Sequence, residues 1–405
     1  MGEKHDDIDM VEAVQETAYS LVNRAFSPSS PITDRQLFAG RAEQMSRLLD
    51  VIESRGQHAL VYGDRGVGKT SLVKVVRRMV AGLPVLYTCN SGDTFSSIWT
   101  QVLRGIQWVA RSEGPGFVPA VEERVTSALD LLSTIDPGPA DVRVVLGTLA
   151  EQVPLVIFID EFDRPQSTEA RTLMADTIKI LSDDGADVTL VLVGVAESVG
   201  DLVQEHRSIG RALAQIQMPL MAEHELAEIV EKGMQNAQLD VETGFIDRVV
   251  QLSQGLPHFT HLIAQHGARV AVGDARTVVL ASDSKEAVRR ALDDVSQTIR
   301  ENYHRATYSN RDTLYKDVLL ACAMAKKNAV GQFDSRGVSD ALFLNTGRRY
   351  DIPAISGHLS AFSDPDHPRG GILQKLGTRA RYDYRFIDPL MPPYVMMQGH
   401  ASEVI

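Results

Sequence analysis

The chain has 405 residues, of which 44% are hydrophobic, 23% charged and 6% aromatic, enough for two or three domains at roughly 100–200 residues each. This composition excludes collagen-like, coiled-coil and mostly disordered classes, and no apolar run reaches the length of about 18 residues that a membrane helix needs. With 41 Lys and Arg against 53 Asp and Glu, a net charge of −12, the chain is not a generic nucleic-acid coat, although residues 311–405 alone carry 12 basic against 10 acidic side chains.

The opening MGEKHDDIDM is acidic and has no apolar core, so no secretory leader is expected, and Asp6 stands where a myristoylation start wants Ser or Thr. Val11, Val14, Ala18 and Leu21 predict a helix over Asp9–Arg24, which the SPSSPIT segment (Ser27–Thr33) ends. A second helix is expected over Ala42–Ser54. The apolar run His58–Tyr62 then leads into glycines and a helix over Ser71–Val80, which is the βα unit of a parallel sheet. Further near-continuous apolar runs, Pro84–Cys89, Pro154–Asp160 and Val188–Val195, predict strands covered on both faces. Helical patterns are expected between them, around 94–112, 119–133, 141–151 and 169–182, and a last strand near Ile216–Pro219.

From Glu223 the pattern becomes helical: Glu223–Gln235, Gly244–Leu252, His258–Val272 and Ser284–Glu301, broken only by the short TVVL at Thr277–Leu280. Three shorter helices follow, near Leu314–Lys327, Ser335–Asn345 and Ile352–Phe362. After them Tyr382, Tyr384 and Phe386 alternate with Arg381, Asp383 and Arg385 as in a half-buried strand. Three helices followed by a hairpin outline a winged helix. The expected architecture is therefore α/β: a parallel sheet covered by helices, an all-helical subdomain and a C-terminal winged helix. The boundaries expected are 1–34 for an N-terminal helical segment and linker, 35–221 for the α/β core, 222–305 for the helical subdomain and 306–405 for the winged helix.

The strongest chemical signal is Gly63, Asp64, Arg65, Gly66, Val67, Gly68, Lys69 and Thr70, which matches G-x-x-x-x-G-K-[ST] between a predicted strand and a predicted helix. Its glycines let backbone N–H groups turn inward around phosphates, and the helix opened by Lys69, Thr70 and Ser71 adds its positive dipole end. Lys69 can reach the β- and γ-phosphates of ATP, and the Thr70 hydroxyl can ligate Mg²⁺. The second signal is Leu155–Ile159 ending in Asp160 and Glu161. Asp160 is placed to hold Mg²⁺, directly or through water, and Glu161 to act as general base on the attacking water.

These residues resemble the AAA+ ATPases, over most of the chain, which implies that the α/β core is a P-loop NTPase parallel sheet and that the all-helical subdomain 222–305 is its lid; the tail resembles the winged helix of the origin-recognition and replication-initiator branch. The resemblance implies an adenine-side element at Phe38–Glu43, with Gly40 and Arg41 contacting the nucleotide. It implies a sensor 1 after the strand Val188–Val195, where Glu197 and Ser198 stand instead of Asn or Thr. It implies an arginine finger acting on a neighbouring subunit, for which Arg211 fits best by distance from the following strand, with Arg207 the runner-up. It also implies a sensor 2 after Gly255-Leu256-Pro257, where His258 replaces the usual arginine; a capping or packing histidine is the other reading of that position.

No other chemistry competes. The 11 histidines show no metal-ligand spacing, no G-x-S-x-G element occurs, and Met391–Met397 is expected to be packing material. Cys89 and Cys322 fit two buried thiols in a reducing cytoplasm. In the tail, the candidate third helix Ile352–Phe362 has no Lys or Arg, whereas Arg348, Arg349, Lys375, Arg379, Arg381 and Arg385 surround it. Double-stranded DNA held weakly through the wing is one expectation, and protein contact or assembly through the tail is the other. The function expected is a cytoplasmic ATPase with cofactors ATP and Mg²⁺, active as a homo-oligomer and coupled to a DNA-bound or regulatory assembly. The alternative is a slowly hydrolysing nucleotide switch that recruits a protein effector.

Overall fold

A computed structural model describes residues 15–33, 35, 37–113, 121–195, 209–311, 313–328, 330–378 and 381–403. The chain forms two compact units, one of residues 41–64 and 69–218, the other of residues 1–40, 65–68 and 219–405.

The unit built on residues 41–218 has a five-stranded parallel sheet. Its strands are β1 (His58–Gly63), β2 (Leu83–Thr88), β5 (Leu155–Asp160), β6 (Val188–Gly194) and β7 (Leu213–Met218), in the order β2-β5-β6-β1-β7. Every residue of β5 and β6 is buried, which is why those segments are apolar without alternation. Helix Ala42–Glu53 leads into β1, and helices Lys69–Arg77, Phe95–Gly105, Pro139–Ala150 and Thr168–Asp184 lie between the strands. Phe95 starts sharply because Thr94 and Ser97 exchange side-chain-to-backbone hydrogen bonds, a capping box. Trp99, Ile98 and Leu103 on that helix join Ile157, Ile159, Leu190 and Leu192 in the core.

The helices expected around 94–112 and 119–133 are corrected. The first ends at Gly105, and an antiparallel pair, β3 (Gln107–Glu113) with β4 (Val121–Ser127), takes the place of the rest, followed by one 3₁₀ turn at Ala128–Leu131. Val109, Val121, Val125 and Thr126 are β-branched residues that favour a pleated strand, and Gly114-Pro115-Gly116 cannot continue a helix. Val109 pairs with Val125, and both are exposed.

The second unit is mainly helical, with one short parallel pair of strands, β8 (Asp240–Val241) and β9 (Val278–Val279). Helix Pro257–Gly273 is its centre, with Phe259 through Ala268 all buried, and helices Glu223–Asn236, Thr243–Ser253 and Ser284–Asp294 pack around it. The one helix expected over Ser284–Glu301 is two: Val295 and Ser296 turn to extended backbone, and Gln297–Thr307 begins anew. The N-terminal helix, described over 15–25, and the linker after it lie against the central helix. Gln265 Nε2 donates to the Phe26 carbonyl at 2.9 Å and Arg269 to Asn23 Oδ1 at 2.7 Å. Phe26 is fully buried against Gly233, where a Cβ would lie 2.2 Å from its ring.

The tail contains helices Tyr315–Met324, Ser335–Thr346 and Ile352–Ser363 with a three-stranded antiparallel sheet, β10 (Phe333–Asp334), β12 (Arg381–Phe386) and β11 (Leu373–Thr378), in that spatial order. The strand β10 adds to the hairpin that the sequence predicts. Tyr384 and Phe386 are buried as their alternation requires. The Met-rich end is a helix, Met391–Ala401, with Met391, Met396 and Met397 in the core. Among the described residues, no helix is long and apolar enough to cross a membrane.

Each unit holds a buried histidine kept neutral. His58 accepts the Leu190 N–H at Nδ1, 3.0 Å away, and burial lowers its pKa to about 4. His261 is likewise lowered to about 4, first by burial and then by His258. The unfolded chain protonates both near 6.5, so stability is full above that pH and falls as pH drops toward 4, at about 1.4 kcal/mol per pH unit per site. Chemical denaturation between pH 7.5 and 5 will show this loss in both units, and His261→Leu will flatten it in the unit that holds residue 261. A flat profile in the parent would contradict it.

Candidate functional site

β1 ends at Gly63, alongside the end of β7. A Cβ there would lie 2.4 Å from the Met218 carbonyl oxygen, so only glycine fits. Gly66 (φ 85°) and Gly68 (φ 94°) adopt left-handed backbone, which curls the turn before the helix starts at Lys69. Lys69 Nζ donates to the carbonyls of Gly63 (2.9 Å) and Asp64 (2.8 Å), so the loop holds its own cation over itself. The following turn of helix carries Thr70 and Ser71, both half-buried.

Asp160 is the last residue of β5 and is buried. Its carbonyl accepts the Cys89 N–H at 2.8 Å, and its Oδ1 accepts the Glu161 N–H at 2.9 Å. Glu161 is a non-glycine residue at φ 54°, a conformation that costs of order 1–2 kcal/mol and turns the chain sharply off the strand. Its Oε2 lies 2.9 Å from Arg164 Nε, with both side chains half-exposed. Asp163 Oδ1 accepts the Val195 N–H at 3.1 Å, tying the turn after β5 to the end of β6. Because β6 alone separates β5 from β1, the acidic turn and the glycine turn leave the same carboxyl edge two strand spacings, about 9–10 Å, apart. Open parallel sheets bind ligands at that edge.

Burial, with the fields of Asp93 and Asp160, pushes the Cys89 thiol up to about 12, and burial pushes Cys322 up as well, so neither is a thiolate nucleophile. Among the described residues, no group of three or more His, Cys, Asp and Glu is placed to hold a metal.

The remaining expected residues lie apart from this edge or belong to the other unit. Gly40 (φ 63°) and Arg41 (φ 60°) make two successive left-handed steps before the helix Ala42–Glu53. The Gly40 N–H donates to Glu228 Oε2 at 2.9 Å, and Arg41 is buried. Arg211 is exposed just before β7, so it sits at the amino edge of the sheet, opposite Gly63 and Asp160. His258 opens the central helix of its unit, and its Nδ1 lies 2.8 Å from the Pro28 carbonyl. A carbonyl only accepts, so Nδ1 carries the proton. Glu197, Ser198, Arg207 and Arg379 lie outside the described residues. Sequence reasoning missed Arg164 and Asp163; the only signal for them is the charged turn Asp160-Glu161-Phe162-Asp163-Arg164 itself.

A family model described as nSTAND1, Novel STAND NTPase 1, matches residues 25–316. No curated protein matches. Among solved structures, the Walker-type ATPase paby2304 of Pyrococcus abyssi is similar at 17% identity and TM-score 0.53, over 91% of this chain and 98% of that one. The Aeropyrum pernix ORC1 protein in complex with DNA is similar at 13% identity and TM-score 0.46, over 91% and 94%. The Thermotoga maritima RuvB Holliday junction branch migration motor is similar at 15% and 0.44, over 85% and 92%. The first similarity is one of fold, and the other two add nothing to it.

The loop geometry separates two glycine substitutions. A Cβ on Gly68 meets no atom closer than 3.8 Å, so Gly68→Ala carries only the left-handed penalty, about 1–2 kcal/mol. Gly63→Ala drives its Cβ into a backbone carbonyl and is expected to cost more. Denaturation midpoints of the two variants test this, and equal losses would contradict it.

Proposed function

The chain belongs to the Novel STAND NTPase 1 family, and from that we propose a Mg²⁺-dependent ATPase that works as an oligomer and passes its nucleotide state to a C-terminal winged helix. The observation that carries the proposal is the shared carboxyl edge of β1 and β5, with a glycine-rich turn on one strand and an Asp-Glu turn on the other.

In this reading Lys69 leaves the Gly63 and Asp64 carbonyls for the β- and γ-phosphates, and the loop N–H groups and the helix start at Lys69 accept the remaining charge. Thr70 and Asp160 supply hard oxygen donors, the type Mg²⁺ prefers, and two protein ligands with waters suit an ion that keeps most of its hydration. Bound there, Mg²⁺ would neutralise phosphate charge. Glu161 takes the proton of the attacking water, which requires its carboxylate to leave Arg164. Arg211, at the opposite edge from its own site, acts on the site of a neighbouring subunit. Gly40 and Arg41 meet the adenine side, and His258 relays lid position through its bond to the linker at Pro28.

A second reading is favoured by one contact. The ion pair of Glu161 with Arg164 occupies the general base, as in a slowly hydrolysing nucleotide switch that recruits a protein effector. Exposed pairs are worth about 0–1 kcal/mol, so this pair alone slows hydrolysis only modestly, and the ATPase reading is preferred.

On the tail, Lys375 lies 3.8 Å over the Tyr382 ring and is exposed on the wing, whereas the helix Ile352–Ser363 presents Ile352, Ser356, Gly357 and Ser360 without a cation. Duplex DNA would be held by the wing through phosphates, without base readout.

Lys69→Ala is expected to lose ATP binding, whereas Glu161→Gln keeps binding and loses turnover by ~10²–10⁴-fold. Titration calorimetry and phosphate release measure the two, and full turnover in Glu161→Gln would exclude the enzyme reading. Binding of duplex DNA should weaken with salt, and replacing Lys375 and Arg385 by Glu should lower the log–log slope by about 2. An unchanged slope would remove the wing from DNA binding.

A further inference from the structure

One surface of the helical unit is both basic and aromatic. Helix Gln297–Thr307 carries Arg300 and His304 one turn apart, and Tyr308, its C-terminal flank, continues the same face. The His304 and Tyr308 rings stack with centroids 4.8 Å apart and planes 22° from parallel. Both are exposed, Tyr308 to 57%. They are also held still: the Tyr308 N–H donates to the His304 carbonyl at 2.8 Å, and its hydroxyl to Asn310 Oδ1 at 2.7 Å. An ordered pair of aromatic faces in water contributes little to the core and offers a surface on which a third flat group can stack.

The surroundings fit an anion. Residues 297–311 contain three arginines and one acid, Glu301, and Glu301 accepts the Gln297 side-chain amide at 2.6 Å. Arg305 is aimed by bonds to Asn302 Oδ1 (3.1 Å) and the Gly370 carbonyl (3.3 Å). Beside the stripe, an open cleft of about 770 Å³ lies between this helix and Met391–Ala401, lined by Arg300, His304 and Arg305 with Tyr303 and Tyr394, and with Glu301 as the one acid in its lining.

We propose that the stripe Arg300–His304–Tyr308 and this cleft bind single-stranded nucleic acid, one unpaired base stacking on the His304–Tyr308 platform while Arg300 and Arg305 take the flanking phosphates. Ring faces beside guanidinium groups are what an unstacked nucleotide strand recognises. A duplex keeps its base faces inside its own stack and cannot use the platform. An acidic peptide would satisfy the arginines but has no use for exposed rings. The proposal is independent of the nucleotide site and of the wing.

Fluorescence anisotropy of labelled 20-nucleotide dT and U strands with the full chain, at about 50 mM salt, tests it. Tyr308→Ala should weaken binding of at least one strand roughly tenfold, within the range base–aromatic stacking supports. Tyr308→Phe, which keeps the ring, should bind like the parent, and Arg300→Glu with Arg305→Glu should abolish binding. The Lys375 and Arg385 wing substitutions should weaken single-strand binding far less than Arg300→Glu with Arg305→Glu. Because Tyr308 is exposed, an unchanged melting temperature will separate lost binding from lost folding. The proposal is overturned by no binding of either strand, by parental affinity in Tyr308→Ala, or by equal displacement of the strand by polyglutamate.

Discussion

Five parallel strands hydrogen-bonded in the order β2-β5-β6-β1-β7 leave their backbone groups satisfied in the sheet interior and free only at its edges and ends. The carboxyl ends are where the chain turns, and there lie the glycine-rich turn after β1 and the acidic turn after β5. The close approach of β7 to β1 forces glycine at position 63, because the Met218 carbonyl occupies the space of any side chain. That restriction stands at the start of the turn in which Gly66 and Gly68 take left-handed backbone before the helix opens at Lys69. Two strand spacings away, the buried Asp160 uses one oxygen to hold the turn that presents Glu161. The sheet thus brings residues about 90 positions apart in sequence to one edge.

Legibility in the sequence followed burial. β5 and β6 were readable because strands covered on both faces have to be apolar throughout, and the glycine turn because its spacing has a geometric cause. The β3–β4 hairpin was not, since Trp108, Val109 and Val125 are apolar yet solvent-facing, and Ile106 and Val109 continue the three- and four-residue spacing of Phe95, Ile98, Trp99 and Val102. The break at Val295–Ser296 carries no glycine or proline. The helix Met391–Ala401 is buried nearly all round, so it shows no periodicity to detect. At the site, Gly63–Ser71 and Asp160–Glu161 were legible as local patterns. The partners of Glu161 and His258 were not, because a rotamer choice sets one and a contact across 230 residues sets the other.

The net charge of −12 is an average over unlike surfaces. Acidic groups gather at the carboxyl edge of the sheet, where Asp93, Asp160, Glu161 and Asp163 all act on Cys89, while arginines cluster on helix Gln297–Thr307. A chain of this charge repels polyanions over most of its surface, so any nucleic acid it holds is confined to such local clusters.

The central claim is that the glycine turn and the acidic turn form one hydrolytic site. The most direct measurement compares ATP binding and phosphate release, with Mg²⁺ and with EDTA, in the parent and in Asp160→Asn. Asp160→Asn is expected to bind ATP within a few-fold of the parent and to lose the Mg²⁺-dependent release of phosphate. Release at the parental rate in Asp160→Asn would contradict it.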